Sequence, residues 1–129
     1  MANNMSNYLE NALINAVLRN IPYTPPAVVY LALYTTDPTD ADVGTESVLG
    51  AYARQPSAYV APTNGVTTNS ADITYPVVTS GSATITHIGV RDALTVGNLL
   101  FYGPLITTRA LITDNQLVFK AGQISVTLD

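Results

Sequence analysis

The chain has 129 residues, enough for one domain with its own core, and we read residues 1–129 as that single domain. Hydrophobic residues make up 47% and charged residues only 11%, against a usual charged share of about 25%, which excludes disorder. The formal charge is −4, the five cations are scattered and Cys is absent, so basic patches for nucleic acid or membrane, disulfides, thiol chemistry and Cys-bound zinc are all excluded.

One helix is legible first. From Asn7 to Arg19, Leu9, Ala12, Leu13, Ala16 and Val17 follow the i, i+3, i+4, i+7, i+8 spacing of an amphipathic helix. Asn7 is placed to cap its first turn with Glu10 three residues on, Asn20 suits a left-handed exit, and Pro22 stops it. Ile14 and Leu18 widen the apolar stripe, so the helix is expected to be clamped on two sides, by a sheet and a loop or by a sheet and a neighbouring subunit. Met1 to Leu9 lacks the pattern of a secretory signal, and no run reaches the roughly 18 apolar residues of a membrane span.

Residues 27–128 read as strands. Val28 to Thr35 is apolar on both faces and is expected to be central. Further strands are predicted over Ala51 to Val60, Asp72 to Val78, Ala83 to Val90, Asn98 to Ile106, Gln116 to Lys120 and Gln123 to Leu128. Thr63-Asn64-Gly65, Ser80-Gly81-Ser82, Val96-Gly97-Asn98, Thr113-Asp114-Asn115 and Ala121-Gly122 supply the turns. Pro76 lacks a ladder donor, so its strand lies at an edge or is bulged. The expected fold is mainly β, an antiparallel sandwich or partly open barrel with one N-terminal amphipathic helix.

Chemistry finds little purchase in this pattern. The irregular stretch Thr35 to Gly50 carries Asp37, Asp40, Asp42 and Glu46, hard oxygen ligands without the spacing of an EF-hand; a solvated loop with turn-capping acids and an ion site both remain open readings. His87 is the only histidine, and a triad would need Ser80 or Ser82 and a carboxylate such as Asp72 or Asp92 brought to it. Nucleophile elbows and phosphate-binding Gly loops are missing, so no catalytic residue, metal or cofactor is assigned and no enzyme is expected. With few charges and eight Tyr, a docked interface protein fits the composition. The candidate interface residues are Tyr23, Tyr30, Tyr34, Tyr52, Arg54, Tyr59 and Arg91.

Asn7-Tyr8-Leu9-Glu10-Asn11-Ala12-Leu13-Ile14-Asn15 and Tyr30-Leu31-Ala32-Leu33-Tyr34-Thr35-Thr36-Asp37-Pro38-Thr39-Asp40 resemble a family of small virion structural proteins of tailed bacteriophages. The likeness continues through Tyr52-Ala53-Arg54, Asn69 to Pro76, His87-Ile88-Gly89-Val90 and Gly97 to Gly103, and departs at Arg91 and at Leu94-Thr95-Val96. It implies a virion component without catalytic residues, of a kind labelled tail-fibre protein or capsid cement (decoration) protein. Long fibres have repeated, trimerised shafts, and this chain shows neither repeats nor heptads. The expectation is therefore a cement protein, made in the host cytoplasm, that binds the phage major capsid protein on the outer surface of the mature shell as a homotrimer. Preferential binding to the mature lattice would stabilise it by linkage. A short tail, tail-tip or fibre-adaptor component is the alternative, and a carbohydrate-binding module the third.

Overall fold

The computed structural model describes residues 1–128. Its elements are β1 (Asn4–Met5), α1 (Asn7–Leu18), β2 (Val29–Tyr34), β3 (Gln55–Ser57), β4 (Val66–Thr68), β5 (Ile73–Thr74), β6 (Ser82–Arg91), β7 (Leu99–Ile112), β8 (Val118–Phe119) and β9 (Ser125–Thr127). Five strands form an antiparallel sheet in the order β1-β7-β6-β2-β3, and two short ribbons, β4-β9 and β5-β8, pack beside it. Among the described residues the fold is thus mainly β with antiparallel sheets and one helix near the N-terminus, and no barrel closes.

β6 and β7 make the longest hairpin. Val96 and Gly97 at φ 55° and 66° turn the chain, and Asp92 pins the loop by accepting from Asn98 N at 2.7 Å and Asn98 Nδ2 at 2.9 Å. The register runs from Arg91↔Leu99 to His87↔Pro104, then resumes at Ile85↔Arg109. Leu105 to Thr108 therefore bulges opposite Thr86 and throws Ile106 out, 90% exposed. That bulge breaks the alternation at Ile106, where the sequence reading ended the strand; β7 instead continues to Ile112.

β2 is central as expected, with β6 on one side and β3 on the other. Its Leu31 and Leu33, with Ile88 and Val90 of β6, face the main core, where the ribbons add Ile73, Tyr75, Phe119 and Ile124. Tyr75 crosses this core to donate its hydroxyl to Leu31 O at 2.7 Å, and meets Phe119 edge-on. On the reverse face Gly89 gives Tyr34 and Leu99 room: a Cβ there would come within 2.8 Å and 2.7 Å of them. The first part of the Thr35–Gly50 loop, through Asp42, and the start of α1 lie over this second face, while Leu49 near the loop's end enters the main core. Asp40 O accepts from Asn7 N at 2.9 Å, and the Asp40 carboxylate accepts from Tyr102 OH.

Three expectations need correction. The helix cap is Ser6, not Asn7: Ser6 Oγ accepts from Leu9 N at 3.2 Å and donates to Leu99 O, because the buried serine can serve both helix and sheet. The exit matches, with Asn20 at φ 52° and Ile21 N donating to Asn15 O. Of the two arrangements expected for the helix, the clamp by a sheet and a loop of this chain is not formed, since Leu9 alone of its residues is buried; the one with a neighbouring subunit stays an expectation. The predicted strand Ala51 to Val60 shrinks to β3, and the one over Asp72 to Val78 to β5, which stops before Pro76. β1 and β4, of 2 and 3 residues, are too short to show a period in the sequence.

Candidate functional site

Two arginines organise the surface where the Thr35–Gly50 loop meets the β6–β7 turn. Arg54 lies just before β3 and grips Glu46 with two hydrogen bonds, Nε to Oε2 at 2.9 Å and Nη2 to Oε1 at 2.8 Å. Its Nη1 donates to Ala93 O at 2.9 Å and Val96 O at 2.8 Å. Arg91, at the end of β6, grips Asp42 at 2.7 Å and 2.9 Å, and also donates to Tyr34 OH, Gly97 O and Val96 O. Paired, bidentate guanidiniums of this kind hold geometry as well as charge.

The electrostatics follow from these partners. Burial pushes the Glu46 carboxyl up, but hydrogen bonds from Arg54 and Tyr52, with the Arg54 charge, outweigh it and hold the group below its ordinary value. Burial likewise opposes ionisation of Arg91, and its bonds to Asp42 and Tyr34 overcome that and raise its pKa. Tyr52 donates to Glu46 at 2.6 Å and accepts from Leu33 N at 3.1 Å; burial first, then the Glu46 bond, raises its hydroxyl. Tyr52 also stacks on Tyr75 with centroids 6.1 Å apart.

The consequence is a rigid turn with an apolar tip. The carbonyls of Ala93, Val96 and Gly97 are tied down by two cations, while Leu94 and Val96 project outward, 50% and 82% exposed. Tyr23 lies close enough to Tyr8 and Asp92 for both to raise its hydroxyl, after burial as the larger cause, so the return from α1 runs beside this turn. On α1 itself Ile14, Val17 and Leu18 are exposed.

The seven sequence-derived interface candidates separate into two groups. Tyr34, Arg54 and Arg91 are buried, and their polar atoms make hydrogen bonds within the chain. All five guanidinium N–H groups of Arg91 and four of the five of Arg54 are engaged within the chain. Tyr52 is half-buried and similarly engaged. Tyr23, Tyr30 and Tyr59 are half-buried and keep some outward surface. The large exposed side chains near this turn are aliphatic, Leu94, Val96 and, on α1, Ile14, Val17 and Leu18, the last three foreshadowed by the excess width of the helix's apolar face.

Other predicted groups stay apart. Each acid of the Thr35–Gly50 loop has its own partner: Asp37 accepts from Thr39 N, Asp40 from Tyr102, Asp42 from Arg91 and Glu46 from Arg54. Among the described residues, no three acidic or His side chains converge as a metal site would require. His87 Nδ1 contacts Thr86 Oγ1 at 2.8 Å, and Nε2 is 3.9 Å from Asp37. Asp72 and Asp92 are bonded elsewhere, to Lys120 and Asn98. No described helix is long and apolar enough to cross a membrane.

A family model described as Podophage GP4 fiber I protein gp80 matches residues 4–127. No curated protein matches the chain.

Proposed function

The chain belongs to the Podophage GP4 fiber I protein gp80 family, a family of small structural proteins of the phage virion, and from that membership we propose that it is a docking subunit of the tail-fibre apparatus. The observation that carries this reading is the rigid, internally satisfied scaffold that holds aliphatic side chains out at the residue 93–97 turn and along α1. Exposed apolar groups on a well-ordered frame lose little conformational freedom on association, which favours docking. A single sheet with two ribbons across the described residues supports a joining role within a fibre, as a homotrimer.

A second reading, capsid cement on the outer shell bound to the major capsid protein, is favoured by the compact, charge-poor domain. Copy number separates the two. Quantitative mass spectrometry of purified virions should find a few dozen copies or fewer for a fibre subunit, set by the tail's symmetry. A yield on the order of hundreds, rivalling the shell protein, overturns the fibre reading in favour of cement. Absence from purified particles would overturn both.

A further inference from the structure

The N-terminal segment is fastened at its start and loose behind it. Ala2, Ser6 and Leu9 are 0%, 1% and 4% exposed and plug a strip laid along β7. Asn4 pairs with Tyr102 and Met5 with Phe101, while Ser6 donates its N–H to Leu100 O at 2.9 Å and its hydroxyl to Leu99 O. Asn7 N donates to Asp40 O and Ala2 N to Ser125 O, both at 2.9 Å. Gly103 completes the socket, since a side chain there would collide with Met1 O. Among the described residues, the next nineteen, Glu10 to Val28, contribute no buried side chain.

The far part of that stretch is also unbonded. Pro22 to Val28 make no backbone hydrogen bond to the rest of the described chain, and of these residues Tyr23 and Pro26 alone are half-buried. Pro22, Pro25 and Pro26 hold the segment extended, because each fixes its own φ and pushes the residue before it out of the helical region. Connections in compact domains are usually about 4–6 residues long. Ten residues, Arg19 to Val28, join α1 to β2. Extended, they span roughly 33 Å, against a radius of gyration of about 14 Å for a chain of this length.

We propose that residues 1–18 are an exchangeable arm, which each copy in the assembled protein lays into the β7 socket of a neighbouring copy. The occupant is fixed by the structure: this segment fills the socket, and the identical segment of a second copy makes the same bonds. Exchange therefore conserves every socket contact, and the linker alone separates the two arrangements. In an isolated chain a linker presents its own arm at about millimolar effective concentration. Copies held side by side in one particle meet at a similar concentration, so exchange there costs little. The lead from Glu10 to Val28 adds no buried side chain to the closed chain, and it has the reach to cross to a neighbour. Arms passed head to tail around a ring give a closed homotrimer as readily as a dimer. The inference rests on the virion reading only for that crowding.

The chain has no Cys, so paired Cys substitutions report the exchange directly. Met5 and Phe101 face each other across the β1-β7 pair, where Cα atoms lie about 4.5–5.5 Å apart, within disulfide range. The full chain carrying both Met5→Cys and Phe101→Cys, folded and oxidised at about 10 µM, should close an internal disulfide as a monomer. Equimolar Met5→Cys and Phe101→Cys chains are unfolded, refolded together at about 10 µM or about 1 mM, checked by circular dichroism and oxidised. At about 1 mM, about a quarter of the chains should run as a mixed disulfide dimer on a non-reducing gel, and at least about tenfold fewer at about 10 µM. Asn4→Cys and Tyr102→Cys replace the pair if the double variant does not fold or does not close its bond. Two results overturn the exchange once the internal bond closes: no mixed dimer at the higher concentration, or no more of it than each single variant forms with itself. Neither bears on virion copy number, which tests the functional reading separately.

Discussion

Removing the guanidinium of Arg54 while keeping its aliphatic stem, as in Arg54→Met, isolates the pairing with Glu46. Glu46 would keep only Tyr52 as donor, and Ala93 O would lose its Arg54 bond. Breaking a buried pair by deleting one partner costs about 3–5 kcal/mol. The Arg54 side chain is 8% exposed but that of Glu46 is 25%, so water recovers part of the loss and the lower end applies, about 3 kcal/mol. With a urea slope of about 2 kcal/mol/M, the midpoint falls by about 1.5 M. Glu46→Leu should cost a similar amount. The double variant should cost less than the two losses combined, by about 2 kcal/mol, because no unpaired charge remains inside. Urea unfolding followed by circular dichroism measures all three. Losses that add to within about 0.5 kcal/mol would refute the pairing as a structural unit.

The same pair gives a pH signature. Glu46 is held below its ordinary carboxyl value of 4.5, so its contribution is complete above that pH and is lost as pH falls through the folded value. The stability advantage of wild type over Glu46→Gln should shrink on acidification and the two curves converge, as urea titrations from neutral pH downward would show. Gly103→Ala should lower stability by about 1–3 kcal/mol and free the N-terminus to exchange its amides, since the added carbon would sit 2.6 Å from Met1 C and 3.2 Å from Ala2 Cα. Hydrogen exchange at Ala2 to Ser6 checks it; unchanged protection would count against that packing. Asn69→Ala should cost about 3 kcal/mol in a thermal or urea melt. Its buried side chain donates to Ala71 O and Lys120 O and accepts from Ile124 N, leaving three backbone groups orphaned when it is removed.

Periodicity and turn residues are local properties, and they were legible in the chain itself. The 3.6-residue stripe after Asn7 gave the helix, and alternation gave central β2 and the cores of β6 and β9. Asn64-Gly65, Gly97 and Gly122 marked real reversals because their left-handed backbone is a local demand. The virion family was also readable, carried by motifs along nearly the whole chain. The extent of β7 was not, since its bulge is set by pairing with β6.

Which side chains face inward was decided only by tertiary structure. Arg91 finds Asp42 across 49 residues of sequence, and Tyr75 finds Leu31 across 44; nothing in the spacing announces either pair. A scarce arginine in a charge-poor chain reads equally well as an interface anchor or an interior clamp, because composition fixes what a side chain offers and not what the fold sets beside it. The outer stripe of α1 is the converse case. Its apolar pattern was plain from the residues, yet only the folded chain shows that Val17 and Leu18 stay exposed among the described residues, since burial depends on where distant strands and loops come to rest.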